Sequence, residues 1–427
     1  MRLRPLVLAF CAAFAASPVA WAQMQLTSSA PASLETMSAG AGRSLTTRGI
    51  ASGLKLGDEA ILHAGVFADI GYDTNVFYGS NSQEGSGVLH VMPRLEITNA
   101  ERDGSIPSGT YYDLVGSVDF VRYLSSVDEV SNQSAINPSL GGSAEFSSGQ
   151  ALSFSLSETF SRYQQPPYAA TLSLTPPPPI IHDGNMASAT LRFAPGGGRL
   201  RVMLRYTNLI DKYEGTYDTG SNMGNEGVLD IGWRWLPRTT IYAQVAQGAI
   251  TYFNSGTSSS SSFPLRTLLG LRGLLTEKLS VNIAGGYNNA FYSSSSLGGS
   301  PTSYGILAEI NYTISTLTRA GLGYHHDFVN SPFLGQFYNM DAIYGTFQQM
   351  VASRVVTYLF GRYENRRFGT GRHDNNVMGG VALDYIVGKF LLAGASYSLN
   401  LNRTTTSGTD QLDYTKHILL FRLGVMY

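Results

Sequence analysis

The residues of this chain best placed to do chemistry are charged side chains set into stretches of alternating polarity. Asp69, Asp73, Glu96, Asp113 and Asp119 fall in the early stretches, with Arg94 as their main counter-charge. Arg192, Arg201, Arg205, Arg234, Arg266 and Arg272 fall in the middle ones, where Asp230 is the main exception. Alternate residues of an extended chain share one face, so parity aims each set to one side of a sheet. An acidic wall facing a basic one across a wet lumen would orient dipolar or anionic solutes and set an ion preference. The plainer reading is that arginines pair with acids on neighbouring strands and stiffen the wall. The same residues can do both.

A second candidate is His325-His326-Asp327, which puts His325 and Asp327 on one face of a strand. A metal site or a general-base pair is conceivable there, but such a pair is more commonly a solvated one. The remaining histidines, His63, His90, His182, His373 and His417, have no ligand spacing. The Ser-rich run 258–262 offers no nucleophile setting, and no lipase-like His/Ser motif stands out. The glycine clusters mark turns and close-packed strands, and none opens a helix as a phosphate loop would. The expectation is a protein that is not an enzyme and carries no cofactor or metal.

These side chains need a scaffold, and the pattern of the chain supplies one. Met1-Arg2-Leu3-Arg4 precedes an apolar run and then Ala20-Trp21-Ala22, which reads as a secretory signal peptide over 1–22. The one cysteine, Cys11, lies inside that leader, so thiol chemistry leaves with it. Residues 23–60, rich in Ser, Ala, Thr and Gly, are expected to form a flexible periplasmic arm. From 61 to 427 the chain alternates throughout, and the predicted fold is an all-β, transmembrane antiparallel barrel. The 29 Lys and Arg nearly balance 30 Asp and Glu, which leaves no footprint for nucleic acid.

Short turns are predicted at 101–105, 147–149, 195–198, 236–238, 276–278, 315–316, 352–353 and 388–389. Longer polar or Pro-rich loops are expected at 79–87, 123–131, 164–183, 213–224, 254–263, 293–303, 330–335, 366–375 and 403–410. Long and short connections alternate along this map, as they do in outer-membrane barrels. The count is about eighteen strands, or sixteen if two weak hairpins merge. Leu265, Thr267, Leu269 and Leu271 fall on one face, as do Leu279, Val281 and Ile283, with polar or small residues interleaved. Tyr72, Phe77, Tyr78, Phe160, Tyr206, Tyr312 and Phe328 near strand ends suit aromatic girdles. The final stretch puts Leu419, Phe421, Leu423, Val425 and Tyr427 on one face and Arg422 on the other. This stretch is expected to close the barrel against the strand near 64–72 and to be read by the barrel-assembly machinery. The terminal aromatic with alternating apolar residues before it resembles the C-terminal recognition signal of outer-membrane barrels.

The opening hairpin carries a further resemblance. Gly71-Tyr72-Asp73-Thr74-Asn75-Val76-Phe77, followed by Val91-Met92-Pro93-Arg94-Leu95-Glu96-Ile97, resembles an outer-membrane β-barrel porin family of Gram-negative bacteria, β-barrel porin 2. The resemblance implies an integral outer-membrane protein among lipid and lipopolysaccharide, often encoded near exopolysaccharide genes. It brings no catalytic or ligand residues with it. The function expected is a porin-like channel for small hydrophilic solutes, or an exporter of a surface polysaccharide. The alternative is a structural or adhesive surface barrel with a closed lumen.

Overall fold

The computed structural model describes residues 53–57, 60–80, 83–99, 109–165, 179–254, 261–292, 302–331, 336–352, 354–369, 371–405 and 413–427. The expected leader and most of the arm lie outside the described residues, as does the turn at 101–105. The first element is a three-residue strand, β1 (Leu54–Leu56). The barrel begins with β2 (Ala60–Asp73), β3 (Ser86–Thr98), β4 (Gly109–Leu124), β5 (Ala135–Ser148), β6 (Leu152–Gln165) and β7 (Ile180–Phe193). It continues with β8 (Leu200–Tyr213), β9 (Asn222–Leu236), β10 (Thr239–Tyr252), β11 (Leu265–Leu274), β12 (Leu279–Asn289) and β13 (Thr302–Ser315). The last six strands are β14 (Thr318–Ser331), β15 (Gln336–Val351), β16 (Val355–Phe368), β17 (His373–Ile386), β18 (Leu391–Thr404) and β19 (Tyr414–Met426). Each pairs antiparallel with its neighbours in sequence.

Closure is made by β19 on β2. Leu419 stands opposite Tyr72 and Met426 opposite Gly65, on the expected partner strand near 64–72. Tyr427 donates its N–H to the carbonyl of Ala64 at 2.8 Å, and its ring stacks on Phe390. Beyond that point β1 takes over as partner of β2, with Leu56 opposite Ala60. The result is eighteen strands joined edge to edge, so every strand finds its ladder partners within the barrel. Among the described residues no helix is long and apolar enough to cross a membrane.

The two faces follow the alternation. Outside, Val66, Ile70, Leu95, Leu140, Leu204, Ile231, Leu269, Ile283 and Leu322 are exposed, together with Leu419, Phe421, Leu423, Val425 and Tyr427. Inside lie the charges and amides. Such an inverted distribution suits an apolar solvent outside and water within. Deleting Tyr427 removes two backbone hydrogen bonds and one ring stack from the closing strand. The expected outcome is a several-fold drop in heat-modifiable barrel in isolated membranes, and wild-type abundance would refute the closing role.

Several expectations need correction. Tyr72, Phe160, Tyr206 and Tyr312 are exposed outside, as girdle residues should be. Phe77 and Tyr78 instead turn inward with their loop, and Phe328 is fully buried beneath the Arg266 guanidinium. Loop 366–375 shrinks to 369–372, because Arg367 pairs with His373 and extends β16 and β17. Connection 332–335 is equally brief, so the alternation of long and short lapses there. Asn222, Gly224, Thr302 and Ser303, taken as loop, belong to strands. On β6 to β9 the outer face also turns polar partway up. Asn185 donates to Glu158 at 3.0 Å, and Asn208 and Tyr206 both donate to Asn225.

Among the turns, Pro195–Gly198 shows why composition mattered. Gly196, Gly197 and Gly198 have φ of 59°, 74° and 72°, a left-handed run that side chains with a Cβ resist.

Candidate functional site

Every charged residue assigned inward by parity lies on a strand's inner face, but the two sets differ in how they are used. Asp69 and Asp73 are tied to the barrel seam, and the other early acids to partners on β3 and β4. Asp69 accepts from Arg422 Nε at 2.8 Å, and Arg422 Nη1 also lies 3.8 Å from Asp384. Asp73 holds the Lys416 ammonium at 2.8 Å, with both side chains buried. Glu96 takes Arg94 at 3.0 Å, and Asp119 faces His90 Nδ1 at 3.2 Å. Asp113 lies beside the Tyr111 hydroxyl at 3.3 Å. Asp69, Asp73 and Asp119 brace adjacent strands, and Glu96 and Asp113 are held by neighbours two residues away on their own strands, so no open acidic wall forms.

The middle arginines are less well matched. Arg266 donates to Asp327 at 2.9 Å across three strands, and Arg272 grips both oxygens of Asp230 at 2.7 and 3.1 Å. Arg192 reaches Glu145 only at 3.7 Å, and Arg234 spends its Nη2 on the carbonyl of Gly197. Arg201 and Arg205 have no carboxylate within 4 Å among the described residues. Arg201 is exposed to the lumen and sits in the field of Arg272, Arg192 and Arg234, with Asp230 as the sole opposing charge. Arg205 is 3% exposed, and its Nε and Nη1 have no hydrogen-bond partner. A buried guanidinium is costly unless its donors are used. The wall between β7 and β11 therefore carries a local excess of positive charge, with donors still available.

The loop end of the lumen is narrowed by segments folding inward. After β2, Asn75 ties its own turn through Gly79 and reaches the Thr415 carbonyl at 3.0 Å. This carries Val76 onto Val88 and Tyr123, where Val130, from the short helical turn Asp128–Ser131, meets it. Of the long loops expected at 164–183 and 213–224, most of the first lies outside the described residues. The other forms the 3-10 turn Gly215–Gly220, whose Tyr217 packs on Ile180 and Tyr213. Ser262 bridges Ile250 and Tyr292 outside the named strands, and burial pushes the Tyr292 phenol up.

His325 and Asp327 share an inner face, as expected, but their closest approach is 3.9 Å. Asp327 gives its stronger contacts to Arg266 and Asn288. The neighbouring His326 is the one in a polar chain, between Ser303 at 3.0 Å and Asp341 at 2.7 Å. Sequence reasoning passed over all three, because they sit on three strands and only the register joins them.

No protein-family model and no curated protein matches this chain. Solved structures do resemble it in architecture. The crystal structure of Pseudomonas aeruginosa OpdK with vanillate aligns over 86% of this chain and 99% of its own, at 11% identity and TM-score 0.46. Acinetobacter baumannii OccAB3 gives the same coverage at 10% identity and TM-score 0.46. The ferric enterobactin receptor PfeA of Pseudomonas aeruginosa aligns over 88% of this chain and 82% of its own, at 9% identity and TM-score 0.44. Likenesses of this size go no further than the barrel that the strand register already establishes.

Proposed function

We propose that the chain is an integral outer-membrane, porin-like channel for small hydrophilic solutes, biased toward anions. The observation that carries this is the closed eighteen-stranded wall, apolar outside and lined inside by more arginines than carboxylates between β7 and β11, Arg201 and Arg205 having no ion pair within 4 Å among the described residues. Barrels of about sixteen to eighteen strands enclose an aqueous passage unless something fills it. The inward segments at the loop end narrow the mouth and leave the Arg201–Arg205 stretch on the wall below. In this reading the short turns face the periplasm, and lipid and lipopolysaccharide surround the apolar belt.

The test is planar-bilayer conductance of the purified barrel. Stepwise insertion events with a reversal potential favouring chloride over potassium are expected. A heat-modifiable barrel that never opens would end the channel reading in favour of a structural or adhesive surface barrel.

A second reading draws on the same arginines and on the resemblance of the opening hairpin to β-barrel porin 2. It is export of an anionic surface polysaccharide, whose carboxylates guanidinium groups would meet along the wall. Gene deletion with unchanged secreted polysaccharide would remove it.

A further inference from the structure

Near the loop end, Ser303 of β13, His326 of β14 and Asp341 of β15 form a hydrogen-bonded chain across three strands. The Ser303 hydroxyl lies 3.0 Å from His326 Nε2, and His326 Nδ1 lies 2.7 Å from Asp341 Oδ1. With Nδ1–H donating to the carboxylate, Nε2 keeps the lone pair that a serine proton needs. Asp341 is itself fixed by the Tyr324 hydroxyl at 2.7 Å and by Arg367. The Tyr304 ring stacks on His326 with centroids 4.2 Å apart and planes 11° from parallel. His326 is 3% exposed while Ser303 is partly exposed, so the base is shielded and the hydroxyl is within reach. The Tyr304 carbonyl, 3.2 Å away, competes for the same serine proton.

Nucleophile, base and orienting carboxylate in this order are recognised by geometry and roles, whatever fold carries them. We propose that Ser303, His326 and Asp341 form a second site, one that hydrolyses the acyl ester of a lipid. The substrate class follows from position. His326 shares its outer face with Ile306, its partner in register, and with exposed Leu322 and Ile343, which offer an apolar track for an acyl chain, while Ser303, of inner parity opposite Asn288, reaches the ring where β13 and β14 stop pairing beyond Ile306. The lipid assignment rests on the membrane reading above, whereas the ester cleavage does not.

The reaction balances with water as the only co-reactant. Ser303 Oγ bonds to the ester carbonyl carbon as His326 Nε2 takes its proton. The bond to the alcohol oxygen then breaks, and His326 returns the proton to that oxygen. Water next attacks the acyl-serine and gives a proton to His326. The carboxylic acid departs, and Ser303 Oγ is reprotonated from the imidazole. Asp341 is a positioning residue that fixes the ring tautomer and supports the transient imidazolium.

The test uses the full chain in detergent micelles, with a fluorophosphonate probe and the p-nitrophenyl esters of butyrate and laurate. The probe is expected to label the barrel at Ser303. Ser303→Ala should abolish labelling and slow hydrolysis of both esters by at least about 10³-fold. Ser315→Ala, at the other end of β13, should change neither. Asp341→Asn should lower kcat with KM held, and Asp341→Glu should restore part of the loss. No labelling of heat-modifiable protein, or Ser303→Ala hydrolysing at the wild-type rate, overturns the proposal. Laurate turning over no faster than butyrate overturns its lipid part. Conductance is measured separately, so a barrel that conducts without cleaving, or cleaves without conducting, shows which reading failed.

Discussion

Replacing Asp73 with alanine is expected to strip most of the folded barrel from the membrane. Asp73 and Lys416 are both buried on the lumen side of the seam between β2 and β19, 2.8 Å apart. Asp73 also accepts the N–H of Asn75, which starts the inward turn, and Lys416 lies 4.1 Å from the centre of the Tyr78 ring. Removing one partner leaves a buried charge without compensation, a loss of about 3–5 kcal/mol. The seam has little slack to absorb that. A Cβ on Gly71 would overlap the Leu419 carbonyl, so the two strands are already in close backbone contact there. Asp73→Leu combined with Lys416→Met replaces the pair by apolar groups of similar size and should recover most of the yield. The measurement is the fraction of heat-modifiable barrel in isolated membranes. An Asp73→Ala chain that assembles at the wild-type level would show that the pair does not hold the seam.

The second large effect concerns ion preference. Arg201→Gln with Arg205→Gln removes the two guanidinium groups that lack a carboxylate partner, and the wall around them loses its positive excess. At about 7 Å in water each unit charge is worth roughly 0.6 kcal/mol to a passing ion. Two such charges, trimmed by salt, should lower the chloride-to-potassium permeability ratio roughly three- to tenfold. Reversal potentials in a KCl gradient report this directly. Arg266→Gln is the contrasting case, since its charge is already answered by Asp327 and its removal exposes that acid to the lumen. A double variant with an unshifted reversal potential would reassign the arginines to stiffening the wall.

Alternation alone decided a good deal here. It fixed strand type, held the strand number to about eighteen or sixteen, and assigned the inner or outer face of Arg201, Arg272, Asp69 and Leu419. A period of two leaves only two possible faces, and a lipid-facing wall must be apolar on one of them. It also named β2 as the closing partner of β19 and the face the two must share, because the greasy faces of both strands must align.

What alternation could not determine is which side chains meet across strands that are distant in the chain. Parity placed Asp73 inside, but its partner Lys416 lies 343 positions further along the chain, and only closure of the barrel makes them a pair. The acidic set looked like a wall in sequence and became a set of braces once Lys416 and Arg422 arrived from the other end of the chain. Loop direction was equally hidden: the Asn75 hydrogen bonds that turn Val76 inward reach a carbonyl on β19. Ser303, His326 and Asp341 carry no local signal, since loops of unconstrained length separate their strands. Alternation is a property of each strand by itself, while pairing partners, inward loops and side-chain chains depend on the stagger between strands, which is set only when the barrel closes.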